Sequence, residues 1–378
     1  MGKKTYIGVD NKARKVKKAY IGVDGKARKI KKMYIGDANG KARCIFSANN
    51  GLLGYYGTAE PLTEKKSSLV GTTVGSYALF AGGHNGGSLS TVEVYNTSLS
   101  HSTTTSLQTA RHMINATSVG NYAIFAGGYS SDGTYQNKVD AYNKSLTRST
   151  PTALSVARYR MGATTVGDYA IFAGGTVSDG TSVTNTVDVY NKSLTRSSPT
   201  TKLPVSRMYL SGATVGNYAI FAGGNKGNAT YVATVDSYDS SLTYRSVSGG
   251  LSVARQYMGA TSVGNYAIFA GGGTNTPYND TVDAFNASLT RSLPTVLSSA
   301  RQNIGATTVG NYALFAGGGT PPSKVVDAYD TSLTRSLPTV LSSEKSPASA
   351  TVGDYALFAG GSHAGGALHD SVDVYQAG

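Results

Sequence analysis

The phrase VGxYAxFAGG occurs seven times in this chain, with its first glycine at Gly75, Gly120, Gly167, Gly216, Gly264, Gly310 and Gly353. Successive copies lie 45, 47, 49, 48, 46 and 43 residues apart. That period suits a four-stranded propeller blade and exceeds an ankyrin, tetratricopeptide or leucine-rich unit. Each copy must therefore be one supersecondary unit that buries its faces against its neighbours.

The unit starting at Leu154 reads LSVARYRMGATTVG, DYAIFAGG, a variable loop, TVDVYN and KSLTRSSPT. Four short strands are predicted, at Gly162–Val166, Tyr169–Ala173, 186–190 and about 194–197. In the second strand Tyr169, Ile171 and Ala173 point one way while Ala170 and Phe172 point the other. Both faces are apolar, so the sheet must be covered on both sides, as radially packed blades are. The following Gly174-Gly175 allows a bend that side chains would forbid. Composition agrees, because 47 glycines, 26 tyrosines and only 10 prolines in 378 residues read as all-β with many tight turns.

The last repeat ends at SVDVYQAG without a fourth strand, while GLLGYYGTAEPLTEKK precedes the first repeat. Residues 55–57 fall where the missing strand belongs, so the N-terminal stretch is expected to close the ring on the C-terminal blade. These features resemble the kelch family: a hydrophobic strand ending in Gly-Gly, an acid-x-Tyr strand (Asp188, Tyr190) and an Arg-x-x-x-Gly approach (Arg158, Gly162). The resemblance covers residues 52–378 and departs at one point. Kelch blades usually carry a Trp after the Tyr, where this chain has Thr195–Ser197 and no tryptophan anywhere. It implies a seven-bladed kelch-type β-propeller and says little about function, since kelch propellers serve as adaptors, sugar-processing enzymes and adhesins.

Residues 1–50 have a period of their own. Tyr6, Tyr20 and Tyr34 begin three similar units 14 residues apart. Asp10-Asn11, Asp24-Gly25 and Asn39-Gly40 read as two-residue hairpin turns, giving a small β-hairpin repeat module, stacked as a meander, before a propeller at 51–378. This unit resembles a repeat in proteins encoded near tail genes of bacteriophages and prophages of Gram-positive bacteria. The module holds 14 Lys/Arg against 3 Asp, and the propeller 20 Lys/Arg against 18 Asp/Glu, so the net +13 is a basic head on a near-neutral body. Such lysines deter edge-to-edge pairing or attract polyanions; specific nucleic-acid binding is not expected.

Seven cations (Lys66, Arg111, Arg158, Arg207, Arg255, Arg301, Lys345) and seven third-strand acids (Glu93, Asp140, Asp188, Asp236, Asp283, Asp327, Asp373) recur. Equal numbers in every repeat point to structural ion pairs rather than an anion-binding ring. Recognition is expected where repeats differ: in the loops between second and third strands, and two residues after the cation. Both sets lie on one face of a propeller. The candidate ligand-binding residues are Tyr129, Tyr135, Arg160, Tyr209, Tyr257, Tyr278 and Asn303, because tyrosines and amides suit adaptable surfaces, including sugar sites.

No catalytic triad, paired carboxylates, phosphate loop or cofactor motif stands out, so no catalytic residue and no cofactor is expected. His84 and His363 could approach across the closed ring, but no metal-ligand spacing supports a site. The lone Cys44 excludes an intrachain disulfide and the cross-link of a copper-radical oxidase. No secretory or membrane-spanning segment is read, which predicts no membrane insertion and a virion- or tail-associated location, or cytoplasmic before assembly. The leading expectation is a non-enzymatic phage or prophage tail-associated protein. Its propeller would bind cell-surface polysaccharide or protein, and residues 1–50 would contact other tail or virion proteins. A kelch-type sugar-processing enzyme such as an epimerase, and a soluble protein-interaction adaptor, are the alternatives.

Overall fold

A computed structural model describes residues 53–377 apart from 179–180, 275–277, 320–322 and 364–365, together with strands at 6–9, 12–15, 20–23, 26–29, 32–36 and 42–47. Among these residues lie seven four-stranded antiparallel sheets, one per repeat, which form a seven-bladed β-propeller. Blades are numbered here from the sheet that begins at Val70–Val74.

Blade 3 shows how the repeat folds. Its strands are Gly162–Val166, Tyr169–Ala173, Val187–Asn191 and Arg196–Ser197. The first two match the sequence reading; the third sits one residue later and the fourth starts two residues later than 194. The cause is the turn between them. The Asn191 side chain accepts hydrogen bonds from the amides of Ser193 and Thr195, both 2.9 Å, which holds Leu194 at φ +62°.

The two faces of the second strand feed different cores, as their alternation requires. Ala170 and Phe172 pack with Ile124 and Ala126 of blade 2, whereas Ile171 and Ala173 pack with Ala219 and Phe221 of blade 4. Each of the seven seams between blades carries such a cluster, including the seam between blade 7 and blade 1.

The paired glycines do more than bend the chain. A Cβ on Gly174 would lie 2.5 Å from the Arg207 carbonyl of the next blade, and Gly175, at φ +111°, donates its amide to that same carbonyl at 2.9 Å. The equivalent amides of Gly83, Gly128, Gly224, Gly272, Gly318 and Gly361 bind the next blade's cation carbonyl at 2.8–3.1 Å, so the bond runs around the whole ring. A second belt joins the first strands, where hydroxyls of Thr165, Thr214, Ser262, Thr308 and Thr351 donate to the carbonyl one blade back, and Thr73 donates to Thr351.

Closure by both termini is as the sequence indicated. Leu53–Ala59 pairs antiparallel with Val372–Ala377, with Thr58 opposite Asp373 and Tyr55 opposite Tyr375, and the register shifts between Val374 and Tyr375. Ahead of it, three hairpins pair Tyr6–Val9 with Lys12–Lys15, Tyr20–Val23 with Lys26–Lys29, and Lys32–Gly36 with Ala42–Ser47. They form three separate two-stranded sheets, not one meander, among the described residues. All three predicted turns lie outside the described residues, as do the side chains of the head. No described helix is long and apolar enough to cross a membrane.

Candidate functional site

The recurrent cations and acids are paired in every blade. Lys66–Glu93, Arg111–Asp140, Arg158–Asp188, Arg207–Asp236, Arg255–Asp283, Arg301–Asp327 and Lys345–Asp373 meet at 2.6–2.8 Å with both side chains buried. Arg158 also donates to the carbonyls of Gly174, Val156 and Phe172 at 2.9–3.2 Å. A guanidinium with that many fixed acceptors ties the second and third strands to the approach segment and offers nothing to a ligand. A further partner escaped the sequence reading. The second oxygen of each acid faces a fourth-strand side chain: His101, Arg148, Arg196, Tyr244, Arg291, Arg335 and, from the N-terminal strand, Tyr55. Six of these stand eight residues after their acid, and that constant spacing was the available signal.

What remains for recognition is marked by backbone strain. Apart from Asn228 and Ala229, the described non-glycine residues at positive φ fall into two sets of six. One set is Leu99, Leu146, Leu194, Leu242, Leu289 and Leu333, at φ +59° to +63°. It is leucine in each of blades 1 to 6 and packs against the seam cores. The other set is Ser68, Met113, Arg160, Tyr209, Tyr257 and Asn303, at φ +51° to +59°. Each conformation costs about 1–2 kcal/mol in a residue with a Cβ. This chain uses glycine at most other described left-handed positions, yet here it keeps six side chains of five types. The first set keeps its leucines for packing; the second is variable and faces the mouth of the central channel.

There it forms the rim of a cavity of about 710 Å³ on the face carrying the variable loops. Backbone bonds tie rim residues together in pairs: Met113 to Ser68, Tyr209 to Arg160 and Asn303 to Tyr257, at 2.8–3.0 Å. Arg160 lies over the rings of Tyr159 and Tyr209, 4.5 Å from each centroid. The Tyr209 and Tyr257 rings are 4.1 Å apart at 51°. Burial first, then the hydrogen bond with Tyr257, push the Tyr209 phenol far above its ordinary value; burial also raises Tyr257, so both stay neutral hydrogen-bonding groups. Gln302 lines the same cavity, and its buried Oε1 has no hydrogen-bond partner. Among the described lining residues Arg160 is the one charged side chain. Deeper in the channel the wall is backbone and small residues such as Gly71, Ala116, Gly212 and Gly305.

The structure thus brings Arg160, Tyr209, Tyr257 and Asn303 into one cavity. Tyr129 and Tyr135 do not line it. They stack with Tyr159 at 5.3 Å each, behind Arg160, as an aromatic buttress. Tyr278 also stands outside, against Gly273, where the Gln302 side chain approaches as well. Sequence reasoning missed Gln302, whose only signal was its place beside Asn303.

The expected approach of His84 to His363 is corrected. His84 pairs with His112, ring centroids 5.1 Å apart, and His363 with His369 at 5.3 Å. Each histidine meets a partner nearer in sequence, His369 at the end of the same loop for His363 and His112 in the approach to the next blade for His84. Among the described residues no three His, Cys, Asp or Glu side chains converge as metal ligands.

Fold and site together define a seven-bladed β-propeller with an asymmetric cavity at one mouth. The solved structure of YjhT shares this fold class, aligning over 74% of this chain and 99% of its own with a TM-score of 0.57 and 14% identity. That likeness extends to the fold alone. No protein-family model matches the sequence, and no curated relative does.

Proposed function

We propose that this protein is a non-enzymatic carbohydrate-binding propeller of the kelch type that serves as a host-surface receptor in a phage or prophage tail, with residues 1–50 contacting other tail proteins. The observation that carries the binding reading is the rim: six strained backbone positions keep side chains of five types around the ring. Two neutral tyrosines offer ring faces and hydroxyls, and Asn303 and Gln302 offer amides. These groups suit a sugar, whose C–H faces stack on aromatic rings while its hydroxyls hydrogen-bond amides. The described lining supports binding over catalysis, since it brings no carboxylate or histidine to the cavity. The tail assignment rests on the repeat resemblance of the basic head. A glycan array probed with the full chain tests the binding reading; Tyr209→Ala/Tyr257→Ala should abolish the signal obtained with the parent protein. Silence of the parent protein on glycans, with binding to a host protein instead, would refute it.

A further inference from the structure

Blades 1 to 6 each place one left-handed residue on the rim, two positions after the paired cation. Blade 7 does not. Lys345 is followed by Ser346 and Pro347, and the first strand begins at Ala348, three residues after the cation; in blade 6 Arg301 precedes Gly305 by four. Pro347 packs on Gly317 of blade 6 as Ile114 packs on Gly82 of blade 1, so the missing residue is the rim residue itself. The neighbouring blade 1 carries Ser68, the smallest side chain of the rim set. Over these two adjacent blades the polar part of the described cavity wall is Ser67, Ser68, Ser346 and Ser362, beside Leu69 and Val70. Across the ring stand Arg160, Tyr209 and Tyr257 of blades 3 to 5, and Met113 and Asn303 flank the low sector.

We infer that this low sector is an exit, so that the cavity binds the free end of a polysaccharide. The terminal sugar stacks on Tyr209 and Tyr257, and the following residues leave over the serines of blades 7 and 1. A chain bound through an internal residue has to enter and leave, which requires two low sectors, and the described rim residues form one. Serine hydroxyls suit the exit because they hydrogen-bond a passing chain without filling its path. This inference rests on the carbohydrate reading and adds the mode of recognition to it.

The test uses the full chain on an array of glycans tethered through their reducing ends, from mono- to octasaccharides, with free monosaccharides as competitors. The parent protein should bind every glycan that ends in one particular sugar, whatever lies behind it, and the free form of that sugar should compete. Ser362→Trp, and separately a tyrosine inserted between Ser346 and Pro347 to restore the rim, should block the exit. Each should weaken oligosaccharide binding by about tenfold or more while the free monosaccharide, measured by calorimetry, binds as before. An unchanged melting temperature separates blockage from misfolding, and two different lesions guard against failure of one. Recognition of internal residues in end-capped glycans, or oligosaccharide binding that survives both lesions, overturns the exit and leaves the carbohydrate reading standing. Equal loss of monosaccharide and oligosaccharide also overturns it, because the serines then belong to the sugar pocket. Binding to no printed glycan overturns both.

Discussion

The Tyr55 hydroxyl donates a 2.8 Å hydrogen bond to the Asp373 carboxylate across 318 residues of chain. In other blades a residue of the same repeat fills this position, so the N-terminal strand reproduces the local geometry as well as the pairing. Asp373 is further held by Lys345 at 2.8 Å and by the amide and hydroxyl of Ser342. The last blade is thus completed by the first strand, which leaves neither the blade edge nor the seam to blade 1 open.

Deleting residues 1–58 removes nearly all of the closing strand and exposes the edge of Val372–Ala377. The truncated protein should aggregate or oligomerise on size-exclusion chromatography. Deleting residues 1–48 spares the strand, and that protein should elute as the parent does. Identical behaviour of the two truncations would contradict closure by Leu53–Ala59.

Arg158→Ala leaves Asp188 buried with only Arg196 and Ser155 to satisfy it, and leaves three carbonyls short of a donor. Breaking a buried pair on one side costs about 3–5 kcal/mol, which chemical denaturation should show. The double change Arg158→Met/Asp188→Leu should cost less than the single one, because no charge remains stranded. A ligand-binding role would instead leave stability unchanged.

Blade 1 carries an acid-sensitive version of the pair. Burial raises the Glu93 carboxyl, but hydrogen bonds from Lys66 and Thr63, the Lys66 charge and the His101 hydrogen bond outweigh it and hold the group below its ordinary 4.5. A carboxylate depressed in the folded state contributes stability above its unfolded pKa and loses it as pH falls through the folded value. The melting temperature should therefore drop as pH falls below about 4.5, the ordinary value from which the shift is measured. Glu93→Gln should be less stable at neutral pH and should show a shallower acid limb. Parallel acid limbs for the two proteins would contradict this.

The strain at the rim predicts that stability and binding separate. Asn303 is exposed and sits at φ +53°, so Asn303→Gly relieves the left-handed conformation and should hold or raise the melting temperature. It should also weaken glycan binding, since an amide is lost from the cavity. Leu194→Gly at φ +62° should destabilise instead, because Leu194 packs against the seam core between blades 2 and 3. Equal effects at the two positions would remove the distinction between scaffold and recognition.

Period and alternation made the fold legible. The repeat length gave the blade, the two apolar faces gave radial packing, and the incomplete ends gave ring closure. The seven ion pairs were legible because both signs recur in step. The site was half legible. Variation among Ser68, Met113, Arg160, Tyr209, Tyr257 and Asn303 marked the rim, but a sequence does not display φ, so the left-handed backbone they share was not legible. Tyr278, Tyr129 and Tyr135 lie outside this cavity, which their place in the loops did not reveal. Nor did it reveal the partners of His84 and His363.

The most direct test is equilibrium glycan binding by the full chain and by Tyr209→Ala/Tyr257→Ala, each paired with its melting temperature. The two rings make up the aromatic wall of the cavity, and they lie outside the seam cores. Loss of binding with a melting temperature within a few degrees of the parent is the predicted result. Retained binding in the double variant, or loss of binding caused instead by changes at the uniform Gly-Asn turns of the opposite face such as Asn217, would place recognition elsewhere and contradict it.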